Sequence, residues 1–354
     1  MKNEWDGIGI MSGTSLDGID LAWCHFTRKE DGGWNYRIEK AVTVPYANDF
    51  HQQLADAPYL SALEYIKLNN EVAYVFAEAV NEWLGDGPRP DFIASHGHTV
   101  FHQPEIGLTT QIGNGAVLAA ETKILTVCDF RTKDVALGGQ GAPLVPIGDE
   151  LLFGDYDACL NLGGFSNISY SIDKQRIAYD ICPCNMALNK LANLAGLPYD
   201  KDGQLSRKGT LIPTLLEKLN LLDYYHQQPP KSLGKEWFDN VFWPVVEPFT
   251  NEHPLADLAR TVVEHIAIQV VANVPAAART LLATGGGAHH SFLIQQIQNQ
   301  RDTLKTIVPD NLIVDYKEAL IFAFLGLLRL TGENNCLRSV TGAREDNCGG
   351  CVYV

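Results

Sequence analysis

No run of apolar residues in this chain is long enough to span a bilayer, which argues against a helical membrane protein. The opening, MKNEWDGIGIMSG, lacks the apolar core of a signal peptide, because charged residues stand where that core belongs. A cytosolic protein is expected. Basic charge is scarce as well: 27 Lys and Arg stand against 42 Asp and Glu, for a formal net charge of −15. That balance excludes a broad basic surface for nucleic acid but leaves a phosphate ligand open, since backbone N–H groups and a few local cations suffice to hold one.

With no secretion signal, the eight cysteines (Cys24, Cys128, Cys159, Cys182, Cys184, Cys336, Cys348 and Cys351) are expected as reduced thiols rather than a disulfide framework. Cys182/Cys184 and Cys348/Cys351 could together supply four zinc ligands. One intervening residue in the first pair, instead of two, weighs against it, so no metal-ligating set is assigned.

What is present is a globular composition, 46% hydrophobic and 19% charged, over 354 residues, enough for two lobes. Strand-like runs at 7–12, 19–27 and 34–44 are followed by a helical pattern at 60–84, with Leu63, Ile66, Val72, Val75, Phe76 and Val80 near helical spacing. A strand at 91–95, a helix at 116–122 and a strand at 124–128 complete the first set. The order then recurs: strands at 158–162, 167–172 and 176–180, helices at 185–195, 208–221 and 255–274, a strand at 280–283, a helix at 291–300, a strand at 312–315 and a helix at 318–330. Three strands followed by alternating helices and strands, twice over, predict two related α/β lobes. They are placed at 1–130 and 131–335, with 336–354 packing back on the first.

Each lobe has a glycine-rich turn between its first two strands, one holding Gly13, Thr14, Ser15 and Asp17 and the other Gly163 and Gly164. A third, Gly285, Gly286 and Gly287, joins a strand to a helix. Glycine lets backbone N–H groups come close to phosphate oxygens. None of the turns is a P-loop, because the Gly-Lys-Ser/Thr ending is missing. Singly each reads as an ordinary turn; three at equivalent places in a duplicated fold favour nucleotide binding.

Several segments resemble the anhydro-N-acetylmuramic acid kinase family of the acetate/sugar kinase, Hsc70 and actin superfamily. They are GIMSGTSLDGID (9–20), SHGHT (95–99), QIGNG (111–115), DFRTKDVALGGQGAPLVP (129–146), NLGGFSNI (161–168), KSLGKEWF (231–238), ATGGG (283–287) and KEALIFA (317–323). The resemblance implies a duplicated actin-like, ribonuclease H-like two-lobe fold with a central ATP and substrate cleft that closes on its ligands. It implies that 1,6-anhydro-N-acetylmuramic acid, ATP and water give N-acetylmuramic acid 6-phosphate, with magnesium on the phosphates and a homodimer as the assembly. Asp180, at a strand end before a Pro-x-Asn turn, is then the base acting on water. Glu318, opening a helix, is the second carboxylate facing the sugar, and His96, Arg131, Asp134 and Asn185 line the substrate side. The phosphate grip falls to Gly13, Thr14, Ser15, Asp17, Gly163 and Gly164, with the adenosine near Gly285, Gly286 and Gly287.

The chain departs from the family in the loop after Asp180, where Ile181, Cys182 and Cys184 replace a Thr and two glycines, and at Asn189, where a carboxylate is usual. Two alternatives therefore stand beside the anhydro-sugar kinase: a kinase for another amino sugar, and a nucleotide-binding regulator without catalysis. Bland readings stand too. Glu318 suits a helix N-terminus simply as an acid. His96 and His98 serve as hydrogen-bonding or turn residues, and Lys231 with Glu236 reads as a surface ion pair.

Overall fold

The computed structural model describes residues 2–13 and 18–354, except for the side chain of Asn48. The chain divides into two compact units, Met1–Leu152 with Tyr316–Val354, and Phe153–Asp315. The first division falls after 152, beyond the expected 130, because the helix Val145–Leu152 still packs with the first unit's strand Trp34–Val44. The second falls inside the helix Asn311–Thr331. The returning C-terminal segment thus begins at 316, not 336.

In the first unit β1 (Glu4–Ser12), β2 (Ile19–Arg28) and β3 (Trp34–Val44) form an antiparallel meander. β4 (Phe92–Gln103) runs parallel to β1, with β5 (Leu108–Ile112) folded back against its far end. β6 (Thr126–Cys128) runs parallel to β4. The second unit repeats the plan. β7 (Ala158–Leu162), β8 (Phe165–Ile172) and β9 (Gln175–Pro183) make the meander, and β10 (Thr280–Thr284) and β11 (Lys305–Ile307) add in parallel. The sheet orders β3-β2-β1-β4-β6 and β9-β8-β7-β10-β11 are the same. In the first unit the terminal β12 (Cys351–Tyr353) pairs antiparallel with β6 and closes that edge. The expected duplication is therefore present as topology: two actin-like α/β units.

Local chemistry explains the elements. The helix Ala62–Leu84 opens with a full capping box between Ser61 and Glu64 and stops at Gly85, whose positive φ suits glycine. Its buried face, Leu68, Val72, Phe76 and Val80, packs on Ile8, Ile10, Leu21 and Ile93 of the sheet. Leu63 and Ile66, which fit the same periodicity, point outward with 64% and 59% exposure.

The run at 312–315, expected as a strand, is the first turn of the 21-residue helix Asn311–Thr331. A short apolar run of Leu-Ile-Val cannot be told from a buried helical turn by periodicity alone. This helix is buried on nearly every side from Ala319 to Leu328. It lies directly on the sheet: a Cβ on Gly9 would fall 1.8 Å from the Ala319 carbonyl oxygen, and one on Gly326 would fall 2.5 Å from Ala94 Cβ. Only glycine permits that approach. The helix expected at 208–221 is shortened to Pro213–Asn220, with proline in its first turn. The strand expected at 91–95 runs on to Gln103.

Candidate active site

In the second unit, β7 and β8 turn through Gly163 and Gly164. A Cβ on Gly163 would meet nothing closer than 3.4 Å, and one on Gly164 nothing closer than 3.9 Å, so the backbone is open to an approaching group. Their carbonyls accept the N–H groups of Cys184, Asn185 and Met186 at 2.8–3.2 Å, while their own N–H groups bond to no backbone carbonyl among the described residues. Asn185 ties the turn further, donating from Nδ2 to the Leu162 carbonyl at 2.9 Å.

β10 ends beside Asn161 of β7, where Gly285 adopts φ 82° and leads into the 3-10 turn Gly286–His289. A Cβ on Gly285 would come 2.3 Å from Asn161 Oδ1, and one on Gly287 would come 2.7 Å from Leu162 Cβ. These two glycines are therefore needed for close packing. The structure brings Gly163, Gly164, Asn185, Gly285, Gly286 and Gly287 together.

Asp180 lies on β9, the edge strand of its sheet, three residues before the strand ends, rather than at the end itself. Asn167 pairs with Asp180 and Ser166 with Cys182, which leaves Ile181 as a one-residue bulge beside the acid. The half-buried carboxylate accepts the Leu233 N–H on Oδ2 at 2.9 Å. Oδ1 accepts no hydrogen bond from the described residues. Burial pushes this carboxyl above the ordinary aspartate range, against the opposite pull of the Leu233 N–H. Ile181, Cys182 and Cys184 are fully buried in the core of the unit. Cys184, at φ −119°, lies outside the positive-φ region that favours glycine.

In the first unit, His96 on β4 donates from Nδ1 to the Gly97 carbonyl at 2.9 Å, which leaves Nε2 to accept Arg131 Nε at 3.0 Å and a second guanidinium nitrogen at 2.8 Å. Burial, reinforced by the Arg131 charge, holds this imidazole well below its ordinary pKa, so it is neutral. His96 serves Arg131. The guanidinium also donates to the Gly141 carbonyl at 2.6 Å. Burial pulls Arg131 down to about 10, the nearby Glu318 opposing it, so the cation persists at neutral pH.

Glu318 lies within the helix Asn311–Thr331, two turns from its start, so the helix-opening role does not hold. Burial pushes its carboxyl upward, against the pull of Lys317 and Arg131. Lys317 in turn pairs with Asp149 at 2.6 Å, both nearly buried. Asp134 has 0% exposure, and both carboxylate oxygens are engaged inside the first unit. Its Oδ2 accepts Gly141 N–H at 2.8 Å, and its Oδ1 accepts Thr341 Oγ1 and Asn347 Nδ2, each at 2.9 Å. The sugar contact expected of Asp134 gives way to a brace between the 129–146 segment and the C-terminal return. Gly13 sits at the end of β1; Thr14, Ser15 and Asp17 lie outside the described residues.

Sequence reasoning missed Asn161, Tyr224 and Leu233. Asn161 and Leu233 belong to the family-like segments 161–168 and 231–238, so for these two the signal was present without a role attached. Lys231, expected to pair with Glu236, instead reaches the Tyr224 carbonyl with its ammonium at 3.4 Å and lies 4.8 Å from that ring's centre. All eight cysteines are free thiols, and no cluster of three or more metal-ligating side chains occurs among the described residues. No described helix is long and apolar enough to cross a membrane.

Two sheets of one strand order, each led by a three-stranded antiparallel meander, define a duplicated actin-like α/β protein. Within that class, the family model for anhydro-N-acetylmuramic acid kinase matches residues 6–354, and the chain belongs to that family. Relatives bearing that name include one from Vibrio vulnificus (strain YJ016), 35% identical, with 98% of this chain and 97% of the relative covered. One from Aliivibrio fischeri (strain ATCC 700601 / ES114) is 36% identical and one from Sulfurovum sp. (strain NBC37-1) 33%, with 98% of both chains covered in each case. Membership makes the chain a kinase, a phosphotransferase.

Proposed function

We propose that the chain converts 1,6-anhydro-N-acetylmuramic acid, ATP and water into N-acetylmuramic acid 6-phosphate and ADP, with Asp180 as the base. The observation that carries the reading is the state of Asp180: half-buried, raised in pKa, held on one oxygen and open on the other. Such a carboxylate takes a proton from water as the water oxygen bonds to C1 of the sugar. The C1–O6 bond breaks, O6 bonds to the γ-phosphorus, and the bond from that phosphorus to its bridging oxygen breaks to release ADP.

The Gly163–Gly164 turn receives the phosphates, because its backbone is open and its N–H groups are unspent on backbone carbonyls. The resemblance adds Gly13, Thr14, Ser15 and Asp17 to that grip and puts the adenosine beside Gly285, Gly286 and Gly287. Arg131 and Glu318 contact the sugar, with His96 and Asp134 fixing the segment that presents Arg131. Magnesium supplies charge neutralisation on the phosphates. With no preformed acid cluster among the described residues, it fits as an ion carried by the nucleotide and water rather than by a protein cage.

A different acceptor was suggested by the altered loop alone. Its three replacement side chains are buried in the core, so they do not reshape a ligand surface, and the anhydro sugar stays the favoured substrate. The test is ADP release from magnesium-ATP with and without that sugar, followed by product mass. Sugar-dependent ADP and a product heavier by one water and one phosphoryl group are expected. Sugar-independent ADP release, or none in protein that binds ATP, overturns the reading.

A further inference from the structure

Asp180 sits on the edge strand of its sheet, yet its main chain is not left without partners. Its N–H donates to the Lys231 carbonyl at 3.3 Å, and its carbonyl accepts the Tyr224 hydroxyl at 2.6 Å. Two residues beyond Lys231, the Leu233 N–H takes the carboxylate itself. Three hydrogen bonds from one ten-residue stretch therefore converge on one residue of β9. Tyr224 is itself firmly anchored, being 4% exposed with its ring 5.3 Å from Trp237 and 5.8 Å from Tyr225. Behind it, Tyr225 bonds His265 at 3.0 Å, which reaches the helix Leu255–Asn273. The stretch is thus tied to the core at one end and to Asp180 at the other.

From this geometry we infer that residues 224–233 form a strap that positions Asp180, with Tyr224 as its key side chain, and that Oδ1 is the oxygen left to take the proton from water. The inference rests on the assignment of Asp180 as the base. Tyr224, buried and with its hydroxyl spent on the Asp180 carbonyl, acts by fixing the strand at the bulge, where the neighbouring Ile181 has no ladder partner. A base displaced by a fraction of an ångström loses rate without losing ligand affinity.

The test is Tyr224→Phe, which deletes one hydroxyl and keeps the ring. The expected result is a kcat lower by about five- to tenfold, the rate equivalent of one hydrogen bond, with ATP affinity and sugar KM unchanged. The same change is then made on Asp180→Asn. If Tyr224 works through the carboxylate, it adds no further loss there; an equal loss in both backgrounds marks a merely structural role and overturns the strap. A full-rate Tyr224→Phe beside an inactive Asp180→Asn overturns the strap alone, whereas normal turnover in Asp180→Asn overturns the base assignment and the strap with it. Should Tyr224→Phe not fold, amide exchange in the wild-type protein decides. Protection of the Asp180 N–H at the level of the β8–β9 ladder supports the strap, and exchange at loop rates overturns it.

Discussion

Asp180→Asn separates chemistry from binding. The replacement keeps the shape and one oxygen, so the Leu233 N–H at 2.9 Å retains its acceptor. It removes only the capacity to take a proton. A positioned general base contributes about 10²- to 10⁴-fold, or roughly 3–5 kcal/mol of barrier, and turnover should fall by that amount. ATP affinity should hold within a few-fold.

The pH profile sharpens this prediction. Because burial raises the Asp180 pKa, kcat/KM of the wild-type enzyme should decline on acidification at a pH above the ordinary aspartate range. The residual activity of the variant should lack that limb. Stability moves the other way. A carboxyl whose folded pKa is raised contributes stability at low pH that is lost as pH rises through that value. The variant, which carries no charge to desolvate, should thus be at least as stable as wild type at pH 7. ADP release coupled to NADH oxidation gives the rates, calorimetry gives the ATP affinity and urea unfolding gives the stability. Near-normal turnover, or an unchanged acid limb, would refute the role assigned to Asp180.

Three further predictions concern other residues. Replacing both Gly163 and Gly164 by Val puts side chains into the open approach to the turn, so calorimetry should find ATP binding weakened at least tenfold in folded protein; unchanged affinity removes the turn from the phosphate site. Asp134→Ala leaves Gly141, Thr341 and Asn347 without their buried acceptor, and urea unfolding should show a loss of about 3–5 kcal/mol; a loss below about 1 kcal/mol would mean, on the same scale, that these donors find other partners. His265 is held down to about 3 by burial, so the stability it contributes as a neutral ring is complete above its ordinary value near 6.5 and fades as pH falls toward 3. The stability gap between wild type and His265→Gln should narrow over that range, and a constant gap contradicts the assignment.

The doubled strand order was legible because each meander keeps its own run of apolar residues and turn signals, and the glycine turns stood out by composition. Other features were hidden for physical reasons. The 312–315 run carries strand-like side chains, and only its continuation through Ala319–Leu328 as an all-round buried helix decides its state. Asp134 carries the same letter as a ligand-binding acid, and its buried partners include Cys336, Thr341 and Asn347, all more than 200 positions away. His96 stood out as a histidine in a family-like segment, but its role in holding Arg131 depends on a tautomer fixed by the Gly97 carbonyl. Tyr224 carries no motif at all, since a hydroxyl aimed at a main-chain oxygen leaves no periodic trace.

The place of Asp180 on β9 has a consequence for solubility. An outer strand with unpaired N–H and C=O groups is a template on which another chain can add a strand. At Asp180 both groups are already taken, by Lys231 and Tyr224, so a foreign strand would have to displace them. Variants that loosen residues 224–233 should therefore fail in two ways at once, turning over more slowly and aggregating more readily on storage. Selection for a soluble protein would then preserve the same contacts as selection for a fast one.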